Sequence, residues 1–252
     1  MNGYSQKDMF KPSVLHNDYI YLNETKALAN WTYKTGYTPG AKKDTYPIRA
    51  IGSGAKAGMT LDLSTFYKYA EVHCRSSQGF KLILHPPFVY PRVAKNFILI
   101  SPKRDMTVSI RPRIITTSPK LKSFSPVIRH CYFSDERSLM FFNEYEQSNC
   151  ELECLTNYTL KMCGCVRFSM PRTAKMRVCG MHEKQCMERA GQQQFEESID
   201  EAADDSKSCN CMPACASIDY DTENTLTTNE YGITVTKRKS VMKPEEVNEI
   251  IK

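Results

Sequence analysis

Ten of the eleven cysteines lie between positions 131 and 215. Cys131, Cys150, Cys154, Cys163 and Cys165 occupy the first half of that stretch. Cys179, Cys186, Cys209, Cys211 and Cys215 occupy the second. This distribution suggests a hairpin closed by nested disulfides. Cys150 and Cys154 are four apart, so on a helix they share a face and sit about 6 Å apart along the axis. Cys209 and Cys211 are two apart, so on an extended segment they share a face at about 6.6 Å. A helix carrying one pair can meet a strand carrying the other with both pairs in register, within the Cα separations that a disulfide tolerates.

Zinc is the competing use of clustered cysteines. Structural zinc sites favour C-x2-C or C-x4-C pairs. This chain has only C-x3-C and C-x-C pairs, and His16, His73, His85, His130 and His182 are dispersed, so no metal site is expected. Three sequons, at Asn23, Asn30 and Asn157, accompany the cysteines and point to an oxidising, extracellular compartment. Cys74 is the odd cysteine, most simply the partner of a thiol elsewhere. No G-x-S-x-G or H-E-x-x-H occurs, and nothing argues for an enzyme or a cofactor. Met1 to Phe10 lacks an apolar leader core, and no stretch approaches a membrane span. Oxidising features without an export signal suggest a piece of a longer protein.

Charge is divided unevenly. Residues 1–130 carry 20 Lys/Arg against 7 Asp/Glu, and residues 131–252 carry 14 against 21, for a net +6. The basic residues are scattered, with no Arg/Lys-rich helix, so a solvated surface is expected and nucleic acid is not. Residues 1–58 read as loop-rich. Gly52 to Gly58 is a turn, since it lacks the P-loop pattern. Residues 59–130 read as strands: 59–63, 79–85, 96–100 and 105–111, the last with Met106, Val108 and Ile110 on one face. Their prolines argue against any helix. From Ser134 the periodicity turns helical, with Leu139, Phe142 and Glu146 on one stripe and Phe141 and Tyr145 on another, packing against the next helix. Further helices are expected at Glu151–Met162 and His182–Phe195. Glu196 to Asp205 reads as an acidic solvated loop; sensing cations or protons is its sharper alternative. Ala216–Tyr220 and Tyr231–Val235 read as strands.

Several segments carry a resemblance. They are Arg129 to Phe133, Asn149-Cys150-Glu151-Leu152-Glu153-Cys154, Cys163-Gly164-Cys165-Val166, Met170-Pro171 and Cys209-x-Cys211-x-Pro213-x-Cys215, with upstream Tyr46 to Ala50, Ala57 to Leu61 and Gly79 to Pro87. Together they resemble the ectodomain of the DEG/ENaC superfamily, the amiloride-sensitive, trimeric, sodium-selective channels, and within it the pickpocket branch. The resemblance implies the pairs Cys131–Cys215, Cys150–Cys211, Cys154–Cys209, Cys163–Cys186 and Cys165–Cys179. It implies an α+β fold: a mostly antiparallel finger, β-ball and palm from residues 1–130, a disulfide-rich helical thumb from 131–215, and palm return strands and tail from 216–252. Both transmembrane helices would lie outside this chain. It also implies a homo- or hetero-trimeric sodium channel subunit at the plasma membrane, extracellular side, gated by ligand, proton or mechanical load, with Pro126 and Arg129 at the thumb–pore junction. The family often has an aromatic there; this chain reads Ser125-Pro126-Val127-Ile128-Arg129, without a Trp. The reading from another class is a secreted, non-conducting interaction domain.

Overall fold

The computed structural model describes residues 9–15, 31–32, 36–41, 52–63, 79–93, 97–102, 104–199 and 209–228. Strands β1 (Trp31–Thr32) and β2 (Gly36–Tyr37) form an antiparallel pair. So do β3 (Phe80–Leu82) and β4 (Ile98–Ile100), with Lys81 opposite Leu99. The two long strands, β5 (Arg104–Ile115) and β6 (Ser217–Thr228), pair with each other. Arg113 meets Asp219 while Thr117 meets Cys215, so these strands also run in opposite directions. Among the described residues lie the helices α1 (Pro126–Arg129), α2 (Gln147–Cys163) and α3 (Lys184–Ile199). The fold is therefore mixed helix and antiparallel strand, braced by disulfides.

The chain divides into two compact units. The larger comprises residues 1–64, 83–97 and 111–221; the smaller comprises 65–82, 98–110 and 222–252. In the larger unit, Phe10, Val14, Leu139, Phe141, Phe142, Tyr145, Cys150, Leu152, Val166 and Met170 form one buried cluster. The Phe10 and Phe142 rings stack at 5.3 Å. Lys11 donates its backbone N–H to Phe141 and Asn143 donates its own to Met9, both at 2.9 Å. In the smaller unit, β3 and β4 approach closely at Gly79. A Cβ there would stand 2.1 Å from the Ile100 carbonyl oxygen, and the φ of +131° is one that favours glycine.

Four expectations need correction. Residues 134–146 form turns, not a helix. Their aromatics point into the cluster instead of lying along helical stripes, and Glu153 accepts the Phe141 N–H at 2.9 Å. Tertiary packing outweighs the helical periodicity here, as propensity is the weaker term. Residues 59–63 are irregular and exposed, not a strand, because no described strand offers them a ladder. The prolines do not exclude helix before Cys131: Pro119 opens a 3-10 turn and Pro126 opens α1, where a missing N–H costs nothing. Finally, α3 continues through Ile199, so Glu196 and Glu197 belong to the helix and not to an acidic loop. The expected strand at Tyr231–Val235 lies outside the described residues, as do Cys74, Asn23, Asn30, His16, His73 and residues 200–208.

Candidate functional site

Helix α2 begins at Gln147, after Glu146 in extended conformation. It ends at Gly164, which takes a left-handed φ of 66° and donates its N–H to Leu160 at 2.9 Å. One stripe, Asn149, Leu152, Thr156 and Thr159, is buried, a three–four–three spacing that suits one helical face. Thr156 and Thr159 each donate their hydroxyl to the carbonyl four residues back, at 2.7 Å.

Five disulfides brace the module, three of them through this helix. Cys131 joins Cys215, Cys150 joins Cys211, and Cys154 joins Cys209, with Cα separations of 5.0, 5.7 and 6.0 Å. Cys163 joins Cys186, linking the end of α2 to the start of α3, and Cys165 joins Cys179, at 6.0 and 5.1 Å. Beside the last bond, Val166 and Val178 form a parallel bridge. Helix α2 thus carries three of the ten bonded cysteines and meets segment 209–211 through two of them; that segment is not the extended one expected, since Asn210 turns through a left-handed φ of 43°.

Polar side chains complete the module. Arg137 donates to the carbonyls of Cys209 and Asn210, and its guanidinium lies over the rings of Tyr132 and Tyr145. Tyr145 donates its hydroxyl to Met212 at 2.5 Å; burial pushes its pKa up to about 12, against the pull of Arg137. Gln147 donates to Cys211 at 3.0 Å. Fully buried Asn149 accepts from the Tyr90 N–H at 2.9 Å and donates to Phe88 at 2.8 Å. Arg92 pairs with Glu151 at 3.1 Å. Sequence reasoning gave Arg137 and Glu151 no bonding role and quoted Asn149 only as part of a motif. The signal of Asn149 and Glu151 was a polar residue beside a cysteine, too common to single out, and Arg137 carried no such signal.

The approach to Cys131 is held by Arg129. Its side chain is 3% exposed, and it pairs with Glu136. It donates to Cys131 at 3.0 Å and to Phe124 at 2.6 Å, and lies 4.8 Å from the centre of the Phe133 ring. Pro126 supplies the first residue of α1. Between them, Val127 and Ile128 are 70% and 67% exposed, and Phe124 is also exposed. His130 follows in a left-handed conformation, φ 55°, turning the chain into Cys131.

Glu146 stands apart. Burial, with the Asp219 charge as a second cause, raises its carboxyl from 4.5 to about 7. Its Oε2 and the Ser148 hydroxyl have no hydrogen-bond partner among the described residues. Asn157 is exposed on α2. Among the described residues, no group of three or more His, Cys, Asp or Glu side chains could hold a metal, and no helix is long and apolar enough to cross a membrane.

A family model described as amiloride-sensitive sodium channel matches residues 20–250. Pickpocket protein 28 of Drosophila melanogaster is 32% identical over 202 residues, which cover 79% of this chain and 32% of that protein. Pickpocket protein 11 of the same species is 31% identical over 140 residues, covering 55% of this chain and 26% of that protein. Sodium channel protein Nach of Drosophila ananassae is 29% identical over 180 residues, covering 69% and 33%. The chain spans between about a quarter and a third of the length of these relatives. With its pickpocket-like likeness running through the disulfide-braced module, the chain belongs to the amiloride-sensitive sodium channel family.

Proposed function

We propose that this chain is the extracellular part of a sodium-selective channel subunit that works as a homo- or hetero-trimer at the plasma membrane. The family match over residues 20–250 carries the reading. The disulfide-braced pair α2–α3 is the thumb, and β5 with β6 belongs to the palm. The thumb acts as a stiff lever, because its bonds leave the two helices few independent motions. Its movement passes to the membrane through the segment before Cys131. There Pro126 and Arg129 fix α1 and present Phe124, Val127 and Ile128 to the membrane-spanning part of the subunit. Ligand, proton or mechanical load would move the same lever, since each acts by favouring one of two arrangements. Sodium ions are the permeant species, and the membrane contacts come from segments beyond this chain.

The test is electrical. The gene sequence flanking Met1 and Lys252 is extended, and the complete product is expressed in oocytes with and without pickpocket-type partner subunits. The expected result is a sodium current blocked by amiloride. A complete product that has no apolar span on either side and gives no current in any combination would instead support a secreted interaction domain.

A further inference from the structure

The sequon Asn157-Tyr158-Thr159 lies inside α2, not in a loop. Residues two apart on a helix do not face each other, and here the consequence is complete. Asn157 is exposed, whereas Thr159 is 0% exposed and its hydroxyl is engaged by Leu155. Transfer of a glycan needs the asparagine amide and the threonine hydroxyl in one enzyme site together. The folded helix keeps them on opposite sides.

The nascent chain is different. The helix is 17 residues long, only just beyond the roughly 12–15 residues below which even Ala-rich isolated helices are marginal in water. Its Asn and Thr residues lower helix propensity further. Two of the three partners that lock it, Cys209 and Cys211, are made about 50 residues after Asn157, roughly 3–10 s later at roughly 5–20 residues per second. During that interval the sequon can be extended, with both groups reachable.

We propose that Asn157 is glycosylated only while α2 is still open, before Cys150–Cys211 and Cys154–Cys209 close, and that the glycan then stands on the exposed face of the locked helix. This rests on the extracellular reading, which supplies the donor, a lipid-diphosphate-linked oligosaccharide. The Asn157 amide nitrogen forms a bond to the anomeric carbon of the sugar. The bond from that carbon to the diphosphate oxygen breaks, the lipid diphosphate leaves with the electron pair, and one amide proton passes to a base.

Two arms test it. First, the full 252-residue chain is made without glycans and presented to microsomal oligosaccharyltransferase with its lipid-linked donor. It is presented once oxidised and folded, and once reduced and unfolded. Mass spectrometry should find Asn157 modified in the reduced chain and about tenfold or more less modified in the oxidised one, where the site opens only by local unfolding. Equal modification in both overturns the timing; none in the reduced chain overturns the site. Second, in cells making the complete product, Asn157 should be occupied. Asn157 empty beside an occupied Asn23 or Asn30 overturns this inference alone. All three empty overturns the extracellular reading with it.

Discussion

Arg129 and Glu146 show what single side chains decide. The Arg129 guanidinium is buried, ion-paired and bonded to carbonyls on both sides of α1. Removing one partner of such a pair leaves the other charge poorly compensated. Arg129→Ala should therefore lower the unfolding free energy by about 2–3 kcal/mol, less than a fully buried pair because Glu136 is partly exposed. Arg129→Lys keeps the charge but not the fork, and should recover only part. Urea titration of the oxidised protein measures both. Glu146 acts with the opposite sign to a paired carboxylate. Its folded-state value, about 7, lies above its unfolded value, 4.5, so the folded state holds the proton more tightly. Stability should fall as pH rises from about 4.5 through about 7, by at most about 3 kcal/mol from this group. Glu146→Gln should remove that part of the slope. Identical pH profiles for the variant and the parent protein would refute the assignment.

At the level of elements, periodicity served the helices that have their own signals and failed where packing decided. Gly164 stops α2 and Cys163-Gly164-Cys165 announced it, so that end was legible. The start at Gln147 was not, because Glu146 caps through backbone geometry without a side-chain hydrogen bond. Residues 134–146 carry helical spacing yet turn, since their aromatics reach Phe10 and Val14, which lie far away in sequence. Two glycines separate strain from collision. At Gly164 a Cβ would meet nothing within 4 Å, so Gly164→Ala should cost only the left-handed penalty, about 1–2 kcal/mol. At Gly79 it would strike the Ile100 backbone. Gly79→Ala should therefore open the β3–β4 pair, seen as faster amide exchange at Phe80 and Leu82.

Across the whole molecule, nesting changes what each disulfide contributes. Cys131–Cys215 spans 84 residues and Cys165–Cys179 spans 14. Acting alone, they would contribute about 4.6 and about 3 kcal/mol in the chain-entropy account. With Cys150–Cys211 closed, however, the outer bond closes only about two dozen further residues. Replacing Cys131 and Cys215 together by serine should then cost about 3.4 kcal/mol. A denaturant midpoint shift that matches the larger figure would mean that the rungs act independently.

The sequence by itself determined the family and the helical character of α2 and α3. These rest on local facts: cysteine spacing and a glycine stop, neither of which needs a distant partner. Tertiary structure decided the rest. It made Arg137 a clamp on the 209–211 segment, set Asn149 between Phe88 and Tyr90, buried Glu146 near Asp219, and put the two working groups of the Asn157 sequon on opposite faces of one helix. Each depends on which groups are brought together and which lose water when they meet. That is a property of the packed whole, and no window of neighbouring residues contains it.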